Sequence, residues 1–528
     1  LLYSKYENLL KGMKKNSLLI MLTFISIIVF GQVEQPNRIE FEDKEYENYE
    51  AFSFGEKGAL VLSKNEVSRK VYDYQFQLLS TNLKVIKTVN KQVSKNHTKI
   101  TTYKDSLNLY ILAQDVKKGT FEFFTVNISP FRIKKITGTL LKKSSFNEMI
   151  VLNNYAYLPI SVKRRSIIQV INLKNGNSKN YFPEVELGIK SLGFESMQIT
   201  GEGKRQELLM TYFSCTKKSC QYSVYQFNRD SKKVGKPILI ESQDEKAFTS
   251  LTLSKISNGY VMSGTYSDKR TGSSQGMYFG KITKSGQIQY VNHYNFLEFT
   301  NFLSYLSEKK QAKIEKKKKR KEKKGKELTI NYRVTIHEII EHQNEYILVG
   351  EFYYPTYRTE TYTTVVNGQS VTRTRQVFDG YQYSHAVIAS FNQKGQMSWS
   401  NSFEMWVSNK PFYVKQFITI SANNEQIGLI YATSSLIKSV AYKNGKEVVS
   451  RNVDFVNTGN QKDKIKYTVN SEISYWYADN YISWGYQKIK TEKKGRDKKR
   501  KVYYINKVSF GNSENTDSPK RSMNNSDF

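Results

Sequence analysis

The sequence predicts an all-β protein, a β-propeller of seven or eight four-stranded blades, with tandem β-sandwiches as the alternative. Three observations carry that reading. Apolar residues alternate in short runs bounded by Gly, Asn, Lys and Ser turns, with almost no helical periodicity, which is the pattern of strands. Similar runs recur about every fifty residues, the length of a propeller blade built from four short strands. No Pro/Gly/Ser-rich linker separates the recurrences, so they read as one ring rather than a row of domains meeting at flexible boundaries.

The first unit reads AFSFGEKGALVLSKNE, VYDYQFQLLS and LKVIKTVN between Ala51 and Asn90, and related units begin near Ile100, Phe146, Phe194, Phe248, Val334, Gln416 and Glu472. Two of them share a sharper grammar. In one, an apolar strand ending at Gly264 leads to Met277-Tyr-Phe-Gly-Lys-Ile and a turn at Gly286 before Tyr290; in the other, a strand ending at Gly350 leads to Ala386-Val-Ile-Ala-Ser-Phe and a turn at Gly395 before Trp399. Each describes two apolar strands followed by a Gly-centred turn into a strand with an inward aromatic. Over residues 248–405 this grammar resembles the secreted β-propeller repeats of Bacteroidetes-type bacteria, whose units end in Asp/Asn-x-x-Gly-x-x-x-Trp. The resemblance implies a propeller fold and no shared chemistry, because propellers host unrelated functions. Ile39-Glu-Phe41 lies ahead of the first unit, where it is placed to lend a strand to the last blade and close the circle.

Two insertions interrupt the rhythm of the expected 32–510 propeller domain. Residues 303–329, with the core KKQAKIEKKKKRKEKKGKE, favour helix and offer no apolar face, so the segment is expected to be solvated. Residues 353–383 carry Asn367-Gly368 between alternating runs and predict a protruding β-hairpin. Lys488 to Lys501 reads as a charged hairpin tip in the final unit, and residues 511–528, rich in Asn, Ser and Asp, as a disordered tail.

An exported address follows from the start of the chain. Met13-Lys14-Lys15 and the apolar run Leu18 to Phe30, ending at Gly31, read as a signal peptide over residues 13–31, with a retained anchor as the weaker alternative because the run is shorter than a bilayer-spanning helix. Residues 1–12 then lie upstream of the translation start. The expected location is the periplasm, the outer membrane or the exterior, with no transmembrane span left after cleavage. In an oxidising compartment Cys215 and Cys220, flanking the turn of a hairpin over Leu208 to Phe227, are expected to form a local disulfide.

The formal net charge of +33 points to a polyanionic partner, although the abundance of Lys, Asn, Ile, Tyr and Phe also fits an AT-rich genome. The cations most available to an anion are Lys316, Lys317, Lys318, Lys319, Arg320 and Lys321 in the first insertion, and Lys498, Lys499 and Arg500 near the final tip. Tyr353, Tyr354, Tyr357 and Tyr362 crowd the hairpin insertion, either as a binding face for sugar or protein or as cross-strand packing within it. The partner is thus an envelope polyanion, glycan or protein; nucleic acid is disfavoured because export removes the protein from it.

Enzyme signatures are scarce. His337-Glu-Ile-Ile-Glu-His342 spaces its histidines five apart on a strand, which turns them to opposite faces, so it supports no metal site. Nucleotide loops, a Gly-x-Ser-x-Gly elbow and an acidic calcium loop are all missing from the sequence, and no cofactor is expected. Glu148, Glu195 and Glu338 fall on the first strands of their units, where a pair facing a central channel would suit glycoside hydrolysis. A binding or scaffold module is therefore the leading expectation, and a carbohydrate-active enzyme the alternative.

Overall fold

The computed structural model describes residues 33–510, apart from 44–48, 98, 145, 147, 163–164, 184–191, 216–219, 243–245, 269–272, 367–368, 406, 408–409, 435, 461 and 494–495. The expected signal peptide, the residues before it and the tail 511–528 lie outside the described residues. Within them, eight four-stranded antiparallel sheets follow one another along the chain, two of them with a split first strand. We call them blades 1 to 8, over 49–94, 99–139, 150–181, 193–241, 247–295, 333–404, 419–455 and 463–510. Blade 8 takes its fourth strand from Val33–Glu42, which pairs with Arg496–Phe510 so that Ile39 stands opposite Ile505 and Phe41 opposite Tyr503. Hydrogen bonds between the two ends of the chain thus close the ring.

The ring is equally visible in how the blades pack. A buried core joins blades 1 and 2 through Phe76, Ile111 and Phe124, and another runs through blades 2, 3 and 4. Further cores join 4 to 5, 5 to 6, 6 to 7 and 7 to 8. The circuit is completed by Ala59, Val61 and Leu79 of blade 1 against Trp476, Ile482 and Ile505 of blade 8, with Trp476 Nε1 donating to Gly58 O at 2.9 Å. A middle strand therefore buries both faces. In Gly259–Ser267, Tyr260 and Met262 enter the joint with blade 4 while Val261 enters the joint with blade 6. That two-sided burial is why such strands read as unbroken apolar runs.

The Gly-centred turn proves to be a clasp between blades. Tyr290 and Trp399, expected to point inward, stand on the outermost strands Ile288–Asn295 and Met397–Glu404 and meet the turn of the following blade. Gly395 sits over the Tyr290 ring and Gly445 over Trp399, where a Cβ would come within 2.4 and 2.6 Å of ring carbon. Both glycines have positive φ, +76° and +75°. Asn292 Nδ2 and the Tyr294 hydroxyl also donate to Gly395 O, at 3.0 and 2.7 Å. An aromatic four residues after one glycine therefore serves the glycine of the next repeat.

The insertion 303–329 is solvated over less of its length than its composition predicts. Its helix, α1 (Glu308–Glu322), carries nine Lys and Arg against three Glu and buries no residue. The flanks are core. Phe296, Phe299 and Phe302 are buried just before it and Leu328 just after it, and the Tyr305 hydroxyl lies 2.7 Å from that of Tyr332. His385 of blade 6 is stacked against both Tyr305 and Phe352, with centroids 4.1 and 4.5 Å away. Charge keeps the helix out of the protein, while the aromatic residues at its root hold it in place.

Topology decides which loops share a side. In an up-and-down meander, the connection between second and third strands and the connection to the next blade lie at one end, and the other two connections at the opposite end. Helix α1 joins blades 5 and 6. The hairpin of Glu345–Val366 and Gln369–Phe391 joins the second and third strands of blade 6, and that of Asn480–Lys493 and Arg496–Phe510 does so in blade 8. All three extensions therefore rise from one face. The opposite face is made of short turns such as Asn344 and Asn444, both at positive φ.

Candidate functional site

The extended face gathers the cationic and aromatic candidates. Lys316, Lys317, Lys318, Lys319, Arg320 and Lys321 lie on α1, four of them exposed and Lys318 and Lys321 partly so. In blade 8, Lys499 and Arg500 are adjacent in sequence but belong to opposite faces of the sheet. Arg500 joins Asp463 at 2.8 Å and Glu40 at 2.9 Å. The hydrogen bonds it donates to Asp463, with those to Glu40, push its pKa further up. Burial opposes ionisation of Asp463, and the bonds from Arg500 overcome it and hold that carboxyl below its usual range. Arg500 is thus a structural cation tying blade 8's first, third and fourth strands together. Lys498 is paired in register with Thr491, and its side chain lies outside the described residues.

Lys499 looks the other way, into a face built from lysine. The register sets Lys488 opposite Lys501, Lys490 opposite both Lys464 and Lys499, and Tyr467 opposite Lys488. Lys466, Tyr467, Lys488, Lys490 and Lys499 line a cleft of about 360 Å³, and Lys488 Nζ lies 5.6 Å from the centre of the Tyr467 ring. The sequence reading missed Lys466, Lys488 and Lys490. The signal was present as lysines two apart on three strands, at 464 and 466, 488 and 490, and 499 and 501.

The hairpin tyrosines divide between packing and exposure. Tyr353 packs against Tyr381 and Tyr383, with centroids 5.2 and 5.3 Å away, at the root. Tyr354, Tyr357 and Tyr362 are 45, 60 and 40% exposed. Tyr357 meets Phe378 edge-on at 6.0 Å, and Arg375 lies 5.6 Å over the Tyr362 ring. Beside the root, Phe412 and Tyr413 are each 69% exposed on the connection to blade 7, which is tied back by Tyr381 N donating to Pro411 O at 2.9 Å. Asn367-Gly368 lies outside the described residues.

A second candidate site borders the channel, where the first strands of neighbouring blades come together. Glu195 and Glu148 approach it from blade 4 and from the entry to blade 3. Burial, opposed by the Leu251 N–H and reinforced by Glu148, pushes Glu195 up to about 7. Burial alone raises Glu148. The sequence reading missed Glu50, which burial and then Glu472 of blade 8 push up to about 7. By surface Glu50 and Glu148 are exposed and Glu195 is half-buried, so the shifts reflect crowding by the neighbouring first strands rather than a dry core. Glu472 pairs with Lys415 at 2.8 Å. Glu338 is half-buried between the two pieces of blade 6's first strand.

The two histidines of His337-Glu-Ile-Ile-Glu-His342 serve different joints. His337 Nε2 lies 2.7 Å from Glu351, and His342 Nε2 lies 2.7 Å from Asn423 O. Glu351 is fully buried and also accepts from Phe417 N and Ile418 N at 3.0 and 2.9 Å, which locks blade 6 onto blade 7. Cys215 and Cys220 are direct cross-strand partners in blade 4, while their side chains and the turn 216–219 lie outside the described residues. On the short-turn face, a groove of about 890 Å³ crosses blades 4, 5 and 6; Lys281 and Lys284 face Glu341 across it, and Lys255 is paired with Glu207. Its charge is mixed. Among the described residues no helix is long and apolar enough to cross a membrane.

No family model and no curated protein matches the sequence. Solved structures give distant likenesses. An uncharacterized protein from Listeria monocytogenes EGD-e is 9% identical, over 76% of this chain and 94% of that one, with a TM-score of 0.32. The β-propeller domain of the Trilobed protease from Pyrococcus furiosus, described as having an open velcro topology, is 9% identical over 68% and 96%, with a TM-score of 0.24. A eukaryotic initiation factor is 8% identical over 87% and 98%, with a TM-score of 0.38. At these scores the likenesses carry no argument about this chain, whose architecture rests on its own sheets and joints.

Proposed function

We propose that the protein is an exported binding module of a bacterial envelope, periplasmic, outer-membrane-associated or extracellular, that holds an anionic polymer on its extended face. The observation that carries this reading is the convergence of three extensions from separate parts of the chain, two of them lysine-rich, on one side of the ring. A cationic surface held in fixed geometry raises the local concentration of a polyanion and releases its counterions on contact. Removing residues 308–325 spares Glu327, which accepts from Asn295 Nδ2 at 2.6 Å. That deletion is expected to leave melting unchanged and to weaken retention on immobilised heparin, with a flatter salt dependence. Retention that matches the intact protein would remove the helix from the binding face.

One observation favours a second reading, a glycoside hydrolase or lyase acting in the channel. Glu148 lies close enough to Glu195 to raise it further, and a carboxyl with a pKa of about 7 is protonated in part at neutral pH, as a general acid must be. Glu195→Gln in a protein assayed on acidic polysaccharides would abolish turnover under this reading and leave heparin binding intact.

A further inference from the structure

We propose that the connection between blades 6 and 7 is a foot that seats the extended face on an anionic lipid bilayer. The inference goes beyond the polyanion reading and does not depend on it. Phe412, Tyr413 and Val414 are consecutive apolar residues, 69, 69 and 41% exposed, between Lys410-Pro411 and Lys415. Three exposed apolar residues in a row on a folded surface are a liability unless something covers them. The loop is pinned on both sides, so its side chains are held outward by a fixed backbone. Before them, Tyr381 N donates to Pro411 O at 2.9 Å and Lys410 Nζ to Asp379 at 3.1 Å. After them, Lys415 N donates to the Tyr383 hydroxyl at 3.0 Å, and that hydroxyl donates to Lys415 O at 2.6 Å. Gly380, at a φ of +87°, leaves room for Lys410 O, which a Cβ would meet at 2.4 Å.

The distribution of rings and charge selects the occupant. Among the described residues, every exposed aromatic side chain stands on the extended side. Phe182, on the connection between blades 3 and 4, is 69% exposed and three blades away from Phe412, and Phe213 and Tyr357 follow the second strands of blades 4 and 6 outward. The exposed hydrophobic side chains described on the short-turn face are aliphatic, such as Ile86 and Leu239. A protein partner gathers its anchoring residues into one patch, whereas rings on separate loops of one side meet together only on a continuous plane. Aromatic rings settle at the headgroup level of such a plane. The hairpin beside the foot is two-faced in the same sense. From Tyr357 opposite Phe378 to Val365 opposite Ser370, one face carries no charge, while Arg358, Arg373 and Arg375 fall on the other with Glu360 alone against them. Phe378 lies 5.9 Å from Phe412, so the uncharged face continues the foot. Laid in the interface, the ribbon sets its arginines at the lipid phosphates, and α1 adds nine Lys and Arg against three Glu. The unpaired edges of the ribbon keep it out of the hydrocarbon core, so contact stops at the interface.

The test sediments the whole protein with vesicles of phosphatidylcholine, with and without phosphatidylglycerol, and runs it in parallel on immobilised heparin. Binding to the anionic vesicles is expected, with far less to the neutral ones. Phe412→Ser with Tyr413→Ser should lower vesicle partition by about tenfold for each ring and leave melting and heparin retention unchanged, because neither side chain is buried or charged. In Phe412→Trp, the added fluorescence should shift to the blue on anionic vesicles and be quenched by brominated acyl chains. Vesicle binding that the double variant retains, or that brings no blue shift, would overturn the foot and leave attraction by charge alone. Heparin retention without vesicle binding would overturn the inference and leave the polyanion reading standing; vesicle binding without heparin retention would do the opposite. A parent dimer that the double variant dissociates, with no vesicle bound, would make a second copy the occupant and overturn the lipid.

Discussion

Gly395→Ala tests the clasp that links one blade to the next. At a φ of +76° an L-residue costs about 1–2 kcal/mol on dihedral grounds. The new Cβ would also lie 2.4 Å from Tyr290 Cε2, so the ring or the turn must move. Movement of the turn strains the bonds from Asn292 Nδ2 and the Tyr294 hydroxyl to Gly395 O, each worth about 1 kcal/mol. Together these give a loss of about 3–4 kcal/mol. Gly203 separates the two causes: its φ is +54° and a Cβ there meets nothing within 4 Å, so Gly203→Ala should cost only the dihedral part. Urea unfolding followed by circular dichroism measures both. In a Tyr290→Ala background the cost of Gly395→Ala should shrink, because the ring that blocks the methyl is gone. If Gly395→Ala and Gly203→Ala lost the same stability to within about 0.5 kcal/mol, the clasp would contribute nothing and the repeat signature would be turn chemistry alone.

Other consequences can be measured separately. Burial lowers the His385 pKa from 6.5 to about 3, so the unfolded chain takes up a proton that the folded one refuses. Stability should be complete above pH 6.5 and fall as pH drops toward 3, by up to about 1.4 kcal/mol per unit, and His385→Phe should flatten that part of a pH series of urea midpoints. Glu351→Ala removes the carboxylate beside His337 and strands two backbone N–H groups in the joint between blades 6 and 7 and should cost about 3–5 kcal/mol, read as a shift in the same midpoint; Glu351→Gln should cost less. Cys215 and Cys220 should resist alkylation until reduced, and replacing both with Ser should cost only about 2 kcal/mol because the closed loop is short. Free labelling without reductant would show that they do not pair.

Strands, their period and the charged helix were legible because each depends on residues near one another in sequence. Burial on both faces, as in Gly259–Ser267, marks a middle strand from within its own nine residues. Ile39 and Phe41 were legible as a closing strand because the first full unit begins after them, and their pairing with blade 8 fixes the blade number at eight among the described residues. Blade 3 begins at Ile150 rather than Phe146, and blade 8 at Asp463 rather than Glu472, the latter because that strand is exposed or half-buried before Ser471 and shows weak alternation there.

What the sequence hid depends on distant partners. Tyr290 receives a glycine more than one hundred residues later, so its neighbour could not be found within its own repeat. Tyr305 and His385 make the root of an insertion into core only once blade 6 is assembled around it. Cations occupy both faces of the blade 8 hairpin, which masked the period of two until Asp463 and Glu40 separated Arg500 from the lysines. Glu50 and Glu472 meet only where the ends of the chain meet.

Hydrogen exchange on the protein, with and without a heparin oligosaccharide, tests the binding account most directly. Protection is predicted in the blade 8 strands around 463–467 and 486–501 and in helix 308–322, with none in the short turns at 201–207, 255–260 and 341–346 that border the opposite groove. Protection confined to those short turns, or to the first strands carrying Glu148 and Glu195, would contradict it and move the ligand to the other face or into the channel.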